Sequence, residues 1–234
     1  MNVNDRVARL RQESFETPVT LDHERAAIVT AVYREHQGRL STPMLRATAL
    51  LEYCRRKTIA IGDEELIVGE RGPGPKCVST YPEVTCHSLE DLDVLDARPQ
   101  NPYRVSAETR RVFAEEVIPF WQGRTQREFV VARMEDEWRA YYEAGVFTEF
   151  MEQRAPGHTT LDGKFYRKGM EDFQADIDLA LAALDPADPD AVAKREQLQA
   201  MRLSCDAIML LAERHADRAE ELAATEADPV RADE

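Results

Sequence analysis

The feature that most constrains the fold is a long helical pattern of apolar residues near the end of the chain. Asp188 and Pro189 are typical of a helix start, and after them apolar or small side chains recur every three or four residues, at Leu198, Met201, Cys205, Ile208, Ala212, His215, Ala219 and Leu222. This spacing predicts one long helix. A seam of this length also permits a coiled-coil dimer. Its alanines and its histidine would make a weak zipper, so a helix packed inside a core is favoured.

Helical signals also dominate the rest of the chain. They predict helices over residues 1–57, including one that Gly38 would end and one over 42–56. Further helices are predicted over 88–96, 106–121 with a kink at Pro119, 125–143 and 164–184. Ser88 with Asp91 and Thr125 with Glu128 match the capping box.

The remaining segments are predicted to be non-helical. Residues 58–69 alternate as Ile59-Ala60-Ile61, a Gly62-Asp63 turn and Leu66-Ile67-Val68, which predicts a short β-hairpin. Residues 70–105 are rich in proline and glycine and should be irregular, and residues 146–163 should form a loop. The chain is therefore predicted to be mainly α with one short β-hairpin, organised as helices (1–57), hairpin (58–69), irregular segment (70–105), helices (106–145), loop (146–163) and long helices (164–227).

Composition excludes several classes of function. The formal net charge of −14 argues against a nucleic-acid or anionic-membrane partner, because both need a basic face. The four cysteines show no metal-ligand spacing, so neither a zinc site nor a disulfide scaffold is expected. No membrane span or apolar signal region is evident, and a cytoplasmic protein is expected.

The candidate binding residues lie in the 146–163 loop. Around the Pro156-Gly157 turn stand Arg154, whose guanidinium can grip an anionic group through two bonds, and His158, whose imidazole titrates near neutral pH; Asp162 is a third candidate. The alternative is structural, with Arg154 paired to Glu149 or Glu152 and His158 capping the next helix. His87 beside Cys86 lacks a partner that would complete a site, and Cys205 and His215 lie on an apolar helix face where core roles are more common.

Six collinear segments together resemble the beginning of the glycyl radical enzymes, the pyruvate formate-lyase-like superfamily. They are His23–Glu35, Glu65–Arg71, Arg98–Ser106, Glu115–Thr125, Thr148–Thr159 and Lys194–Ala216. The resemblance is strongest to the branch that eliminates water, an amine or sulfite from small hydroxylated substrates, which includes diol and glycerol dehydratases, choline trimethylamine-lyase and isethionate sulfite-lyase.

The resemblance implies a fold and a chemistry. It implies the helical N-terminal portion of a ten-stranded α/β barrel, with the barrel incomplete in this chain. It also implies a cytoplasmic, anaerobic lyase, homodimeric as a whole, whose glycyl radical is installed by a radical-SAM activating enzyme with an Fe–S cluster. It further implies that side chains of the 146–163 loop contact a small-molecule substrate. His158 is the first candidate, Arg154 the second and Asp162 the third.

Two family motifs are missing from this sequence. The family's cysteine loop reads roughly G-C-[VI]-E and its glycine loop R-V-[SA]-G-Y, and neither occurs here. We therefore expect no catalytic residue, no bound cofactor and no metal in this chain, and no activity from it alone. The alternative is a non-catalytic helical interaction or regulatory module derived from the same family, docking through the Leu198–Leu222 helix.

Overall fold

A computed structural model describes residues 3–147 and 162–234 of the chain. Helices provide most of the structure, as predicted. In chain order they are α1 (Val3–Glu16), α2 (Glu24–His36), α3 (Thr42–Arg56), α4 (Leu89–Ala97), α5 (Ala107–Val112), α6 (Ile118–Trp121), α7 (Gln126–Val131), α8 (Asp136–Glu143), α9 (Met170–Ala182), α10 (Ala191–Ala223) and α11 (Pro229–Asp233).

The described part contains a small parallel sheet, and the predicted hairpin is wrong. The strands are β1 (Thr20–Asp22), β2 (Cys77–Ser79) and β3 (Arg104–Val105), in the order β2-β1-β3. Leu21 lies opposite Val78 on one side and Val105 on the other. Strands of two or three residues are too short to show an alternating pattern, and their pairing partners are far apart in sequence, so local signals did not reveal them.

Residues 58–69 form a turn and a loop instead of a hairpin. The backbone bond there runs from Glu65 N–H to Gly62 O at 3.4 Å, while the Glu65 carboxylate accepts from Gly62 N–H at 2.9 Å. Glu64 adopts a left-handed φ of 62° and pairs with Arg9 of α1. The Arg9–Glu64 pair binds the turn to α1. A hairpin at this position would be an isolated pair of strands, which adds little stability.

The main core lies where the sheet meets α2, α4 and the segment from Ala107 to Trp121. Its buried residues are Leu21, Ala26, Val29, Leu92, Val105, Val112, Phe113, Val117 and Trp121. The Trp121 indole N–H donates to Thr30 Oγ1 at 2.8 Å, and Thr30 Oγ1 donates to Ala26 O at 2.6 Å, so both of these buried polar groups are satisfied.

The predicted kink at Pro119 takes the form of a widened turn. Residues Phe113–Val117 form a π-helical turn, and Ile118 N–H donates to Phe113 O, five residues back. Pro119 therefore falls in the first turn of α6, where its missing N–H needs no partner.

The long helix packs against other helices of the chain, as predicted, but mostly through residues outside the predicted seam, because Met201 and Ile208 of that seam are 44% and 46% exposed. α10 lies against both α3 and α9, with Ala200, Cys205 and Ala207 buried. Two predicted helices differ in their bounds: α9 begins at Met170 and not Lys164, and residues 125–143 form two helices, α7 and α8. At the break, Val131 O accepts from Met134 N–H at 3.2 Å and from Arg139 Nη2 at 3.1 Å.

Candidate functional site

The predicted pocket segment is only partly described. Arg154 and His158 lie outside the described residues, as do Glu149 and Glu152 of the structural alternative. Asp162 begins a short 3₁₀ helix, Asp162–Lys164. The substrate-binding roles of Arg154, His158 and Asp162 therefore stay predictions.

Aromatic side chains border this segment on both sides. Before it, the Phe147 ring lies 5.4 Å from Trp138 and 5.9 Å from Tyr142, centroid to centroid. After it, Phe165 and Tyr166 make an edge contact at 6.2 Å, and Tyr166 is 84% exposed. Trp138 and Phe165 are also more than half exposed, and large exposed apolar side chains of this kind are typical of a contact surface.

Polar side chains meet at the carboxyl ends of the parallel strands. Asp22 ends β1, and its Oδ2 accepts from Glu24 N–H at 2.6 Å. His23 Nδ1 lies 3.1 Å from Thr109 Oγ1, and Ser106 Oγ lies 3.0 Å from the same oxygen. The side chains of His23, Ser106 and Thr109 thus connect the end of β1 to the start of α5. Ser106 is also the N-cap of α5, because its side chain accepts from Thr109 N–H.

Arg25, two residues after His23, contacts the segment that follows β2 through several hydrogen bonds and a ring. Its Nη2 lies 2.5 Å from Glu83 Oε1 and its Nη1 3.1 Å from Glu83 Oε2, and Nη1 also donates to Thr80 O at 2.9 Å. The guanidinium lies 3.8 Å from the centroid of the Tyr81 ring. A guanidinium occupied by a carboxylate, a carbonyl and a ring holds the 80–83 segment against α2, and this contact argues for a structural role.

Two cations lie at the end of α3. Lys57 is 3% exposed, and its Nζ donates to Glu70 O at 2.6 Å. Arg214 of α10 donates to Cys54 O at 2.6 Å and to Lys57 O at 2.9 Å. Burial lowers the pKa of Lys57, against the opposing charge of Glu24. The C-terminal end of α3 suits cations, because the last carbonyl groups of a helix carry partial negative charge.

Cysteine and metal chemistry find no support in the described residues. Burial raises the pKa of Cys86 to about 11 and also raises the pKa of Cys54, Cys77 and Cys205, so none is a thiolate at neutral pH. Across residues 3–147 and 162–234, no group of three or more histidine, cysteine, aspartate or glutamate side chains could hold a metal ion. The same part of the chain has no helix long and apolar enough to cross a membrane.

Sequence reasoning missed the roles of Arg25 and Lys57. Both lie in or next to predicted helices, but their partners are set by tertiary contacts across the chain. The one available signal for Arg25 was its place in His23–Glu35, the first of the six segments that resemble the family.

Comparison with known proteins gives a consistent assignment. The family model described as "Pyruvate formate lyase-like" matches residues 1–234. The chain is 43% identical over 225 residues to a trans-4-hydroxy-L-proline dehydratase of Clostridioides difficile, and 33% identical over 231 residues to an isethionate sulfite-lyase of Nitratidesulfovibrio vulgaris. These alignments cover 96% and 94% of this chain, and 28% of each relative.

Solved structures show the same likeness. The crystal structure of the C. difficile hydroxyproline dehydratase with trans-4-hydroxy-L-proline bound matches with a TM-score of 0.92 and 42% identity, over 99% of this chain and 30% of that one. A B12-independent glycerol dehydratase of Clostridium butyricum, with glycerol bound, matches with a TM-score of 0.88 and 26% identity, over 97% of this chain and 29% of that one. The chain thus spans less than a third of the length of these relatives, and it belongs to the pyruvate formate lyase-like family of glycyl radical enzymes.

Proposed function

We propose that this chain is the N-terminal portion of a glycyl radical enzyme that eliminates a leaving group from a small hydroxylated substrate. The observation that carries the proposal is the 43% identity to a trans-4-hydroxy-L-proline dehydratase over 96% of the chain, against 33% to an isethionate sulfite-lyase. Water is therefore the leaving group that we favour over an amine or sulfite.

The chain's own contribution is binding and positioning. In the family a glycyl radical, installed by a radical-SAM activating enzyme, supplies hydrogen-abstraction chemistry. The loops that carry this chemistry have no match in this sequence, so the residues present do not fit that role. We infer that this chain is inactive alone and that the whole enzyme is a cytoplasmic, anaerobic homodimer.

The proposed substrate contacts are Arg154, His158 and Asp162. The substrate named for the C. difficile enzyme, trans-4-hydroxy-L-proline, carries a carboxylate and a hydroxyl group. A planar guanidinium matches a carboxylate through two parallel hydrogen bonds, and an imidazole can exchange a proton with a hydroxyl. Arg154 would bind the anionic group, and His158 the hydroxyl group.

A chimaera tests the proposal. This chain replaces the matching stretch of the C. difficile dehydratase, and the activated chimaera is assayed without oxygen on trans-4-hydroxy-L-proline, glycerol and isethionate. Dehydration of the proline substrate is expected. A chimaera that folds and carries the radical but acts only on isethionate would overturn the choice of water, and one with no lyase activity would favour the non-catalytic alternative.

Variants of the chimaera test the pocket. Arg154→Lys keeps the charge but loses the planar fork, so kcat/KM should fall roughly ten- to a hundredfold, or about 1–3 kcal/mol. His158→Gln should flatten the dependence of the rate on pH between about 5.5 and 7.5. Arg195→Lys, an exposed charge on α10, is the matched control and should leave kcat/KM unchanged. Equal rates in all three variants would assign the loop a structural role.

A further inference from the structure

Helix α8 ends in a tight turn just before residues 148–161. Gly145 N–H donates to Tyr142 O at 3.0 Å. Val146 N–H donates to Tyr141 O, also at 3.0 Å. These two bonds form the Schellman motif, which ends a helix with a residue in the left-handed region. Gly145 supplies that conformation with a φ of 72°, so the direction in which the chain leaves α8 is fixed.

The turn places Phe147 against one face of α8. Trp138 and Tyr142 are four residues apart and therefore lie on the same face of the helix. The Phe147 ring contacts the Trp138 ring at an interplanar angle of 70° and the Tyr142 ring at 51°, which are favourable arrangements for aromatic pairs. Phe147 is partly buried, whereas Val146 beside it is 70% exposed. The rings of Trp138, Tyr142 and Phe147 thus form one cluster, here called the aromatic clamp.

The aromatic clamp is linked to the core of the chain through α7. Tyr142 Oη accepts a hydrogen bond from Arg127 of α7, whose guanidinium lies 5.8 Å from the centroid of the Tyr142 ring. Arg127 N–H donates to Val84 O at 3.0 Å. Val84 follows Glu83, whose carboxylate pairs with Arg25 of α2. A continuous series of contacts therefore connects α2 with Phe147.

We propose that Phe147 is a positioning residue, which holds the start of the substrate-binding segment through the aromatic clamp. The inference rests on the proposed function, in which Arg154 and His158 contact the substrate. Phe147 directly precedes residues 148–161, which contain both of these side chains. An anchor that is fixed before the substrate arrives lowers the entropic cost of binding. A displacement of about 1 Å in a substrate-contacting group can cost about a hundredfold in rate.

Variants of the chimaera measure the effect of the aromatic clamp on the rate. Phe147→Ala removes the ring that both partners contact, so kcat/KM for trans-4-hydroxy-L-proline should fall about ten- to a hundredfold. Phe147→Tyr keeps the ring and should restore most of the rate. Phe129→Ala on α7 is the matched control, because that ring is 58% exposed and lies outside the clamp, and it should leave kcat/KM unchanged. The thermal unfolding midpoint should be equal in all three variants, because neither ring belongs to the main core.

A double-mutant cycle separates positioning from a purely structural role. If Phe147 acts through Arg154, the side chain that it positions is already impaired in the Arg154→Lys background. Phe147→Ala should therefore cause a smaller fold loss of kcat/KM in that background than in the parent chimaera. A purely structural role predicts equal fold losses in the two backgrounds.

Three results would overturn the positioning role. They are an unchanged kcat/KM in Phe147→Ala, equal fold losses in the two backgrounds, and a loss of rate that accompanies a lowered unfolding midpoint. In a chimaera without lyase activity, calorimetric binding of trans-4-hydroxy-L-proline takes the place of the rate. Weaker binding by Phe147→Ala that Phe147→Tyr restores would support the positioning role and count against the lyase function alone. Equal binding by these proteins, or none by the parent chimaera, would overturn the positioning role as well.

Discussion

The segment from Ala107 to Trp121 and the segment from Gln126 to Phe147 contrast sharply in burial. In the first, Val112, Phe113, Val117 and Trp121 are buried against the sheet and α2. In the second, α7 and α8 contain no buried residue, and Phe129, Trp138 and Tyr141 are about half exposed. The first segment completes a core inside this chain. The second carries apolar surface without cover, as expected of one portion of a longer enzyme.

The largest predicted effect separates these two segments directly. Phe113→Ala should lower the free energy of unfolding by about 3–5 kcal/mol, because Phe113 is fully buried and truncation leaves a cavity. Phe129→Ala on α7 is the matched control, since that ring is 58% exposed. It should cost at most about 1 kcal/mol, including the contact with the Arg133 guanidinium. Urea unfolding of the 234-residue chain measures both, and equal losses would erase the contrast.

A smaller effect is predicted at the edge of the sheet. Arg25→Lys keeps the charge but loses the two-pronged contact with Glu83 and the stacking on Tyr81, so it should cost about 1–3 kcal/mol of stability. Arg55→Lys is the matched control, because Arg55 pairs with Glu52 on an exposed helix face and the change should cost at most about 0.5 kcal/mol. Thermal unfolding compares the two, and an Arg25→Lys protein as stable as the control would contradict the structural role of Arg25.

The smallest effect depends on pH. Because burial lowers the pKa of Lys57 in the folded state, the unfolded chain binds more protons between that lowered pKa and about 10.4. Stability should therefore rise with pH across this window, relative to a Lys57→Met variant that cannot titrate. The difference in unfolding free energy between the two proteins, measured by urea at pH values from about 8 to 10, should grow in favour of the wild type. A constant difference would mean that burial does not perturb Lys57.

Local signals predicted most helices and few long-range contacts. The capping boxes of Ser88 with Asp91 and of Thr125 with Glu128 are present, because a cap involves residues only three positions apart. The three strands, by contrast, pair residues as distant as Thr20 and Arg104, and the contact of Arg25 with Glu83 is equally non-local. The apolar alternation of residues 58–69 led to a wrong prediction of a hairpin, because Leu66, Ile67 and Val68 are exposed in a loop.

The candidate site was predicted by resemblance more than by pattern. Arg154 and His158 are ordinary residue types in a loop with no helical or strand period, so spacing alone left the structural alternative open. The family assignment is confirmed across residues 1–234, while the roles of these two side chains stay a prediction.

We propose that this chain is one portion of a glycyl radical enzyme and needs the rest of the protein for its chemistry. Electron paramagnetic resonance can test this proposal. The 234-residue chain and the chimaera are each treated without oxygen with the activating enzyme, S-adenosylmethionine and a reductant. The glycyl-radical doublet should appear in the chimaera and be missing from the chain alone. A doublet in the chain alone, or none in the chimaera while the C. difficile enzyme gives one, would contradict the claim.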